Sequence, residues 1–179
     1  TTADDETVSF MTKFVKDSFG REFKSRNGKY DYVIYGKEIR HFLNSIGLDN
    51  VKSNEKKVPD LIFKAPREIV ASFLQGLFDT DGTTTGRSVS FSTSSEELGM
   101  QVQQLLLNFG IISNRQKRLN KKYNTYSHQI YILSNNVDIF NKEIGFRLTR
   151  KQNKLDEFSK IKRNSNENVI HYQSNRVER

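Results

Sequence analysis

The chain has no cysteine and no tryptophan among its 179 residues, and only two prolines, two methionines and three histidines. The lack of cysteine excludes disulfide bonds and thiolate metal sites, and three scattered histidines do not make a zinc ligand set. Any bound metal is therefore expected to be a hard ion with oxygen ligands, such as Mg2+. No apolar run approaches the length of a membrane span and no signal peptide is visible, so we expect a soluble, intracellular protein.

The sequence has an excess of positively charged residues. Twenty-nine Lys and Arg residues against 21 Asp and Glu give a net charge of +8. This balance indicates a polyanionic partner without identifying it. With 35% hydrophobic residues the chain can build a sizeable core, and the composition is compatible with either one or two compact units.

The most strongly patterned segment is residues 66–82, PREIVASFLQGLFDTDG. Proline suits the first helical position, and the apolar residues that follow cover more than one face, which predicts a helix buried between two bodies. Ser72 and Gly76 lie one turn apart on one stripe, where their small size would let a second helix approach closely. Asp79 and Asp81 fall at the negative end of the helix dipole, so we expect a positive group there.

Three interpretations of this helix end can be compared. A core helix capped by Gly82 requires no function beyond packing. A calcium-binding EF-hand loop is excluded, because the glycine comes at the fourth position from Asp79 instead of the sixth and no glutamate follows in register. In the third interpretation, FLQGLFDTDG closely resembles the motif of the LAGLIDADG homing endonucleases. The matching residues are Leu74, Gly76, Leu77, Asp79, Asp81 and Gly82, and the departures, at positions where the family is tolerant, are Gln75, Phe78 and Thr80.

A helix, a hairpin and a second helix occur in this order twice along the chain. The first copy is predicted as a helix over 4–19, strands over 21–26 and 30–35 joined by Asn27-Gly28, and a helix over 37–46. The second is predicted as a strand over 88–93, a helix from a Ser94 and Glu97 capping box to Gly110, strands over 115–120 and 129–133, and a helix over 136–144.

Matching residues support an internal repeat. Phe19-Gly20 corresponds to Phe109-Gly110, and Ile46-Gly47 corresponds to Ile144-Gly145. Such self-similarity indicates one supersecondary unit used twice, although two unrelated units that look alike remain the alternative. We divide the chain into a partial first repeat without a motif helix (1–57), a complete repeat (58–160) and a basic polar tail (161–179).

The family resemblance implies an α+β fold, with an antiparallel β saddle backed by helices, in a site-specific endonuclease that hydrolyses double-stranded DNA with Mg2+. Family members carry one motif in a homodimer or two motifs in one chain. This sequence resembles the intein-associated, two-motif type with its first motif missing, so we expect a homodimer or a second chain that supplies the other motif. Because the chain begins at Thr1 without an initiator methionine, we expect a processed, trimmed or excised piece.

The resemblance also implies roles for particular residues. Asp81 would bind the metal, with the Thr80 carbonyl as a second ligand, and Lys151 would act beside it in catalysis, with Lys57 as its counterpart in the first copy. A non-catalytic DNA- or RNA-binding module of the same fold, such as a transcription factor or a splicing maturase, is the alternative. It would share the charge and the hairpins but need no metal.

Nucleic-acid contacts are expected from the two basic hairpins, because phosphates attract Lys and Arg while base edges are read by side chains that enter a groove. In the first hairpin the expected contacts are Arg21, Lys24, Arg26 and Lys29. In the second they are Arg115, Lys117, Arg118, Asn120, Lys121, Lys122, His128 and Gln129. Strand alternation would place Arg115 and Lys117 on one face, with the opposite face packed under helices. For any single residue, a solvated hairpin is the alternative.

Overall fold

The computed structural model describes residues 4–26, 30–85, 87–121 and 124–159. Their elements are, in order, α1 (Asp5–Phe19), β1 (Lys24–Ser25), β2 (Tyr32–Val33), α2 (Lys37–Ser45), α3 (Asp60–Phe63), α4 (Arg67–Asp81), β3 (Gly82–Thr84), β4 (Ser88–Thr93), α5 (Glu96–Leu107), β5 (Ser113–Asn120), β6 (Thr125–Leu133), α6 (Asn135–Glu143) and α7 (Thr149–Ser159). Antiparallel pairing joins β3-β4-β6-β5 into a four-stranded sheet, and β1 and β2 form a separate pair. The predicted α+β class, an antiparallel sheet backed by helices, is confirmed.

Helix α4, the predicted motif helix, lies at the centre of the hydrophobic core. It buries Leu74 and Phe78 completely, and the Phe78 ring centroid lies 5.5 Å from that of Phe91 in β4 and 4.9 Å from that of Phe140 in α6. Burial of each such side chain contributes roughly 1.5–3 kcal/mol. No helix in the described part of the chain is long and apolar enough to cross a membrane.

The four-stranded sheet has one face covered by helices and one open face. In β4, Val89 and Phe91 are buried under the helices, and in β6 Ile130 and Ile132 are buried on the same side. Successive side chains in a strand point to opposite faces. We call the other side the open face; the pairing register places on it Thr83, Ser90, Ser92, Gln116, Arg118, Gln129 and Tyr131.

The repeated order is visible in the backbone. The run α1, β1, β2, α2 is followed later by α5, β5, β6, α6. The glycines matched in sequence all have left-handed backbones, with φ of 60° at Gly20, 74° at Gly110, 83° at Gly47 and 61° at Gly145. Each ends a helical segment with a turn that favours glycine. The two copies therefore turn at equivalent points, although the division at residue 57 stays a prediction.

The hydrophobic core belongs to the second copy. Among the described residues before Val58, the buried hydrophobic side chains are those of Val15 and Ile39 alone, whereas the main cluster runs from Val58 to Leu155. The first copy is therefore a thinly packed layer beside a well-packed one.

Two details of the predicted elements are wrong, the length of the first hairpin and the cap of α5. The first hairpin pairs over two residues in each strand, because it is rich in exposed charged residues and, among its described residues, a single aromatic pair, Phe23 and Tyr32, stacks across it. The cap of α5 is Ser95 instead of Ser94: the Ser95 Oγ accepts from Leu98 N at 3.1 Å and donates to Lys56 O at 2.6 Å. Glu97 is not part of a capping box, because it accepts from Gln101 instead. Helices α3 and α7 were not predicted.

Two glycines of the motif, Gly76 within α4 and Gly82 at its C-cap, provide a test of local packing. A Cβ at Gly82 would lie 2.8 Å from the backbone Cα of Phe78, whereas a Cβ at Gly76 would have no described atom within 4 Å. We expect Gly82→Ala to lower the free energy of unfolding by about 1–3 kcal/mol, since backbone cannot easily move aside. Gly76→Ala should raise it by roughly 0.5–1 kcal/mol through helix propensity. Urea denaturation of both variants measures this; equal effects would contradict the assigned crowding at Gly82.

Candidate metal and nucleic-acid site

The carboxyl end of the motif helix binds a buried ammonium group. Lys151 in α7 is only 6% exposed, and its Nζ donates to the carbonyls of Phe78 at 3.0 Å, Asp79 at 2.6 Å and Gly82 at 2.6 Å. This confirms the positive group expected at the negative end of the helix dipole. A lysine ammonium has three N–H donors, so all of them are used here.

Asp79 makes a second contact between the motif helix and the segment of α7. Its Oδ1 accepts from the backbone N–H groups of Arg147 at 3.0 Å and Leu148 at 3.3 Å, immediately before α7 begins. Gln75, one turn earlier, donates to Ile144 O at 2.9 Å and so holds the same loop. We call the paired contacts of Asp79 and Lys151 the reciprocal clamp. It joins backbone carbonyls at the end of the motif helix to α7, and backbone amides of the loop before α7 to the motif helix.

Acidic residues at the start of α1 contact the first residues of α7. The Glu6 carboxylate accepts from Thr149 N at 2.9 Å, and Asp4 pairs with Arg150 at 2.8 Å. Hydrogen bonding from Arg150 lowers the pKa of Asp4 below its ordinary value. The start of α7 is therefore the point where the first copy, the motif helix and the end of the second copy meet.

Opposing influences act on the charge of Lys151. Burial is the largest and lowers the pKa of its amine, and the neighbouring Arg150 lowers it further. The carboxylates of Asp79, Asp4 and Asp81 act in the opposite direction. Three carbonyl acceptors also favour the charged form. The catalytic role of Lys151 stays a prediction, because in this arrangement the Nζ has no N–H left for a water or a phosphate.

Asp81 is placed differently from Asp79, although only one residue separates them. Its side chain is exposed and accepts no hydrogen bond from the described residues. The Thr80 carbonyl is not among the three that Lys151 binds, and the Thr80 hydroxyl donates back into the helix, to Gly76 O and Leu77 O. The helix end therefore offers one free carboxylate and an adjacent carbonyl.

These donors fit a hard divalent ion only as part of a shared site. The described residues hold no group of three or more acidic, His or Cys side chains that could bind a metal by themselves. Mg2+ is commonly held by one or two protein carboxylates together with water and substrate phosphates. Asp81, with the Thr80 carbonyl, matches the contribution of one chain to such a site.

The motif helix also has an uncovered side. Ile69 is 49% exposed, Ser72 is exposed, and the position of Gly76 is open. A cleft of about 240 Å3 separates this side from α1, with Phe10 and Met11 in its wall. A second cleft of about 230 Å3 separates it from the segment 47–57, with Lys57 and Leu77 in its wall. The exposed stripe is thus flanked by apolar clefts on both sides. The catalytic role of Lys57 stays a prediction.

Three of the predicted DNA contacts lie on the helix-covered face of the sheet. His128 is 3% exposed and packs under Gly99, so it cannot reach a base in this structure. Arg115 bonds Gln103 Oε1 at 3.2 Å and pairs with Glu96 at 3.5 Å in α5. Lys117 lies opposite His128, and its Nζ is 4.0 Å from Glu96. The expectation that Arg115 and Lys117 face away from the helices is wrong, because their cross-strand partners point into the core.

Other predicted contacts lie where nucleic acid could reach them. Arg118 and Gln129 are on the open face, together with Gln116 and Tyr131, which were not predicted as contacts. Exposed positions are also found for Arg21, Lys24, Arg26 and Lys121, although Arg21 is paired with Glu38. Lys29 and Lys122 lie outside the described residues, as does the tail 161–179, and for Asn120 only the backbone is described.

Comparison with known proteins agrees with this arrangement. Residues 68–145 match the family model of a LAGLIDADG-like domain. The chain is 32% identical over 159 residues to the replication factor C small subunit of Methanocaldococcus jannaschii, covering 88% of this chain and 8% of that protein. It is 32% identical over 144 residues to a DNA polymerase of Thermococcus hydrothermalis, covering 75% of this chain and 8% of the polymerase. The chain therefore spans less than a tenth of the length of these relatives.

Solved structures give the same fold. The homing endonuclease I-DmoI in complex with DNA and Ca superposes with a TM-score of 0.62 at 13% identity, covering 86% of this chain and 76% of that one. Mesophilic variants of I-DmoI superpose with a TM-score of 0.59 at 12% identity, covering 77% and 71%. At this level of identity the likeness establishes the fold alone.

The reciprocal clamp can be tested by removing its ammonium. We expect Lys151→Met to lower the free energy of unfolding by about 3 kcal/mol, because three buried carbonyls would lose a charged donor. Lys154→Met makes the same chemical change at an exposed position of the same helix and should have an effect within about 0.5 kcal/mol. Chemical denaturation compares the two. Equal stability of the two variants would contradict the clamp.

Proposed function

We propose that this chain, in which residues 68–145 form a LAGLIDADG-like domain with the fold of the homing endonucleases, is a module of a site-specific DNA endonuclease. It binds double-stranded DNA and, with a divalent ion such as Mg2+, hydrolyses phosphodiester bonds. The observation that carries the proposal is the free carboxylate of Asp81 at the end of the motif helix. The small shares of a replication factor and a polymerase that the chain matches support an intein-associated origin.

Asp81 would hold the metal, with the Thr80 carbonyl as the neighbouring oxygen donor. A divalent ion bound there would supply an activated water and neutralise charge on the scissile phosphate. The reciprocal clamp contributes by fixing the backbone on both sides of these two residues, since Lys151 binds the carbonyls of Asp79 and Gly82. Asp79 is buried and its Oδ1 is bonded to the loop before α7, whereas Asp81 is exposed, so we assign the metal role to Asp81.

The open face of the four-stranded sheet is the proposed DNA-binding surface. Its hydroxyl and amide side chains can donate to and accept from base edges, and a pair of β-strands fits the major groove. Basic residues near the hairpins, such as Lys121 and Lys24, are exposed and would contact phosphates. The net charge of +8 favours the same partner.

The uncovered stripe of the motif helix is the proposed assembly surface. Ser72 and Gly76 have little bulk, and the clefts on either side are lined by apolar residues such as Phe10 and Leu77. A second motif helix would fill this space and bring its own acidic end beside Asp81. The second helix would come from another copy of the chain or from a separate chain.

A non-catalytic DNA- or RNA-binding module is the competing function. It would retain the basic hairpins and the open face. It would have no use for an exposed, unpartnered carboxylate at the negative end of a helix, where such a group is disfavoured. Asp81 therefore favours catalysis.

Asp81→Asn should abolish metal-dependent nicking or cutting of a plasmid library that the wild type cleaves, because an amide is a poor ligand for a hard ion. DNA affinity in EDTA and the melting temperature should remain close to wild type, since Asp81 makes no hydrogen bond to the described residues. Asp17→Asn, an identical change at an exposed position of α1, is the matched control and should cut normally. Cleavage by Asp81→Asn at the wild-type rate would refute the assignment.

Gly76→Leu should disrupt assembly, because the added side chain fills the space that a second helix needs. Sedimentation at micromolar concentration, with the chain alone and with a candidate partner chain, measures this. Lys154→Leu adds the same side chain at an exposed site on α7 and should leave assembly unchanged. A wild-type chain that stays strictly monomeric and still makes double-strand breaks would be inconsistent with the proposed surface.

A further inference from the structure

Four polar side chains on the open face of the β5–β6 hairpin form a connected group. Gln116 and Gln129 face each other across the two strands. The Tyr131 hydroxyl donates to Gln129 Oε1, and Arg118 Nη2 donates to Gln116 Oε1 at 3.4 Å. The Arg118 guanidinium extends back over the pair, with its Cζ 5.7 Å from the centroid of the Tyr131 ring. We call these four residues the donor cluster.

The internal hydrogen bonds of the donor cluster decide what it can offer to a ligand. An amide side chain can normally donate through nitrogen and accept through oxygen. Here both amide oxygens already accept from a neighbour, whereas neither Nε2 donates to any of the described residues. Guanidinium has donors only. The two glutamines and Arg118 therefore keep their N–H groups available to a ligand, while each amide oxygen has one lone pair engaged and is oriented towards a donor of the protein.

Base edges differ in how well they match such a surface. In the major groove guanine presents two acceptors, N7 and O6, whereas cytosine presents a donor. Adenine presents one acceptor and one donor, and a glutamine reads both only when its Oε1 and Nε2 are directed at the base together. A surface of N–H groups thus fits guanine best and cytosine worst.

We infer that the donor cluster is the specificity-determining element of the β5–β6 hairpin and that it selects guanine at the DNA position it faces. The inference rests on the proposed function, since it needs the open face to enter a major groove. Tyr131 acts as a positioning residue: by donating to Gln129 Oε1 it fixes the orientation of the amide, with the oxygen held towards the hydroxyl and the nitrogen left for the base. The same N–H groups could instead bind phosphate oxygens, in which case binding would not depend on sequence.

The test is a binding selection from a pool of randomised double-stranded DNA in EDTA, which separates recognition from cleavage. The wild type should enrich guanine over cytosine roughly tenfold or more at one position of its site, as a good base contact does. Gln129→Glu replaces the donor with acceptors and should shift that position towards cytosine. Tyr131→Phe frees Gln129 Oε1 and should raise the acceptance of adenine at the same position.

Lys117→Gln is the control, because it lowers the net charge by one, as Gln129→Glu does, but lies on the helix-covered face. It should change affinity without changing base preference. The inference is overturned if wild-type binding enriches no guanine, if neither variant alters the preferred base, or if the variants weaken all sequences equally, as phosphate contacts would. Wild-type protein that binds no DNA at all would overturn the proposed function as well, so the two failures are distinguishable.

Discussion

The rest of the structure depends on how the carboxyl end of the motif helix is satisfied. A helix leaves its last carbonyls without partners and carries a partial negative charge there, and in this chain Phe78, Asp79 and Gly82 at that end are buried. The Lys151 ammonium supplies three donors, and Asp79 supplies an acceptor to the loop from which Lys151 comes. The motif helix is thereby joined both to α7 and to the loop that leads into it. The chemistry proposed at Asp81 depends on the reciprocal clamp, because the clamp binds the carboxylate of Asp79 and leaves that of Asp81 free.

A similar separation of tasks applies to the sheet. Alternate residues in β5 and β6 pack against the helices: His128 lies under α5, and Arg115 is bonded to that helix. Residues of the other parity, including Gln116 and Gln129, form the surface available to a ligand. In both the motif helix and the hairpin, residues close together in sequence have different roles, one packing inside the protein and the other facing a ligand. The spacing of the residues does not show which of them has which role.

The sequence predicts the elements correctly where the apolar periodicity is strong. Residues 67–81 and 88–93 are strongly patterned, and both elements form where expected. Strand β5, SNRQKRLN, is polar at every position except Leu119, so its orientation depends on pairing with β6, which the sequence does not specify directly. For His128 a signal was available, because it has the same parity as Ile130 and Ile132. Helix α7 escaped prediction because its apolar residues are few and its position depends on contacts with α1 and α4.

The left-handed glycines at matching places fix where each copy turns, but not how long its hairpin is. Between Gly20 and Gly47 the strands pair over two residues each, whereas between Gly110 and Gly145 they run to eight and nine residues. A strand advances about 3.3 Å per residue, close to the roughly 3.4 Å rise of DNA per base pair. On the proposed function, one residue added to each strand would lengthen the footprint by about one base pair without moving the helix end that cuts. The position of the proposed catalytic helix end thus does not depend on the length of the strands, and the length of the DNA target could evolve separately from catalysis.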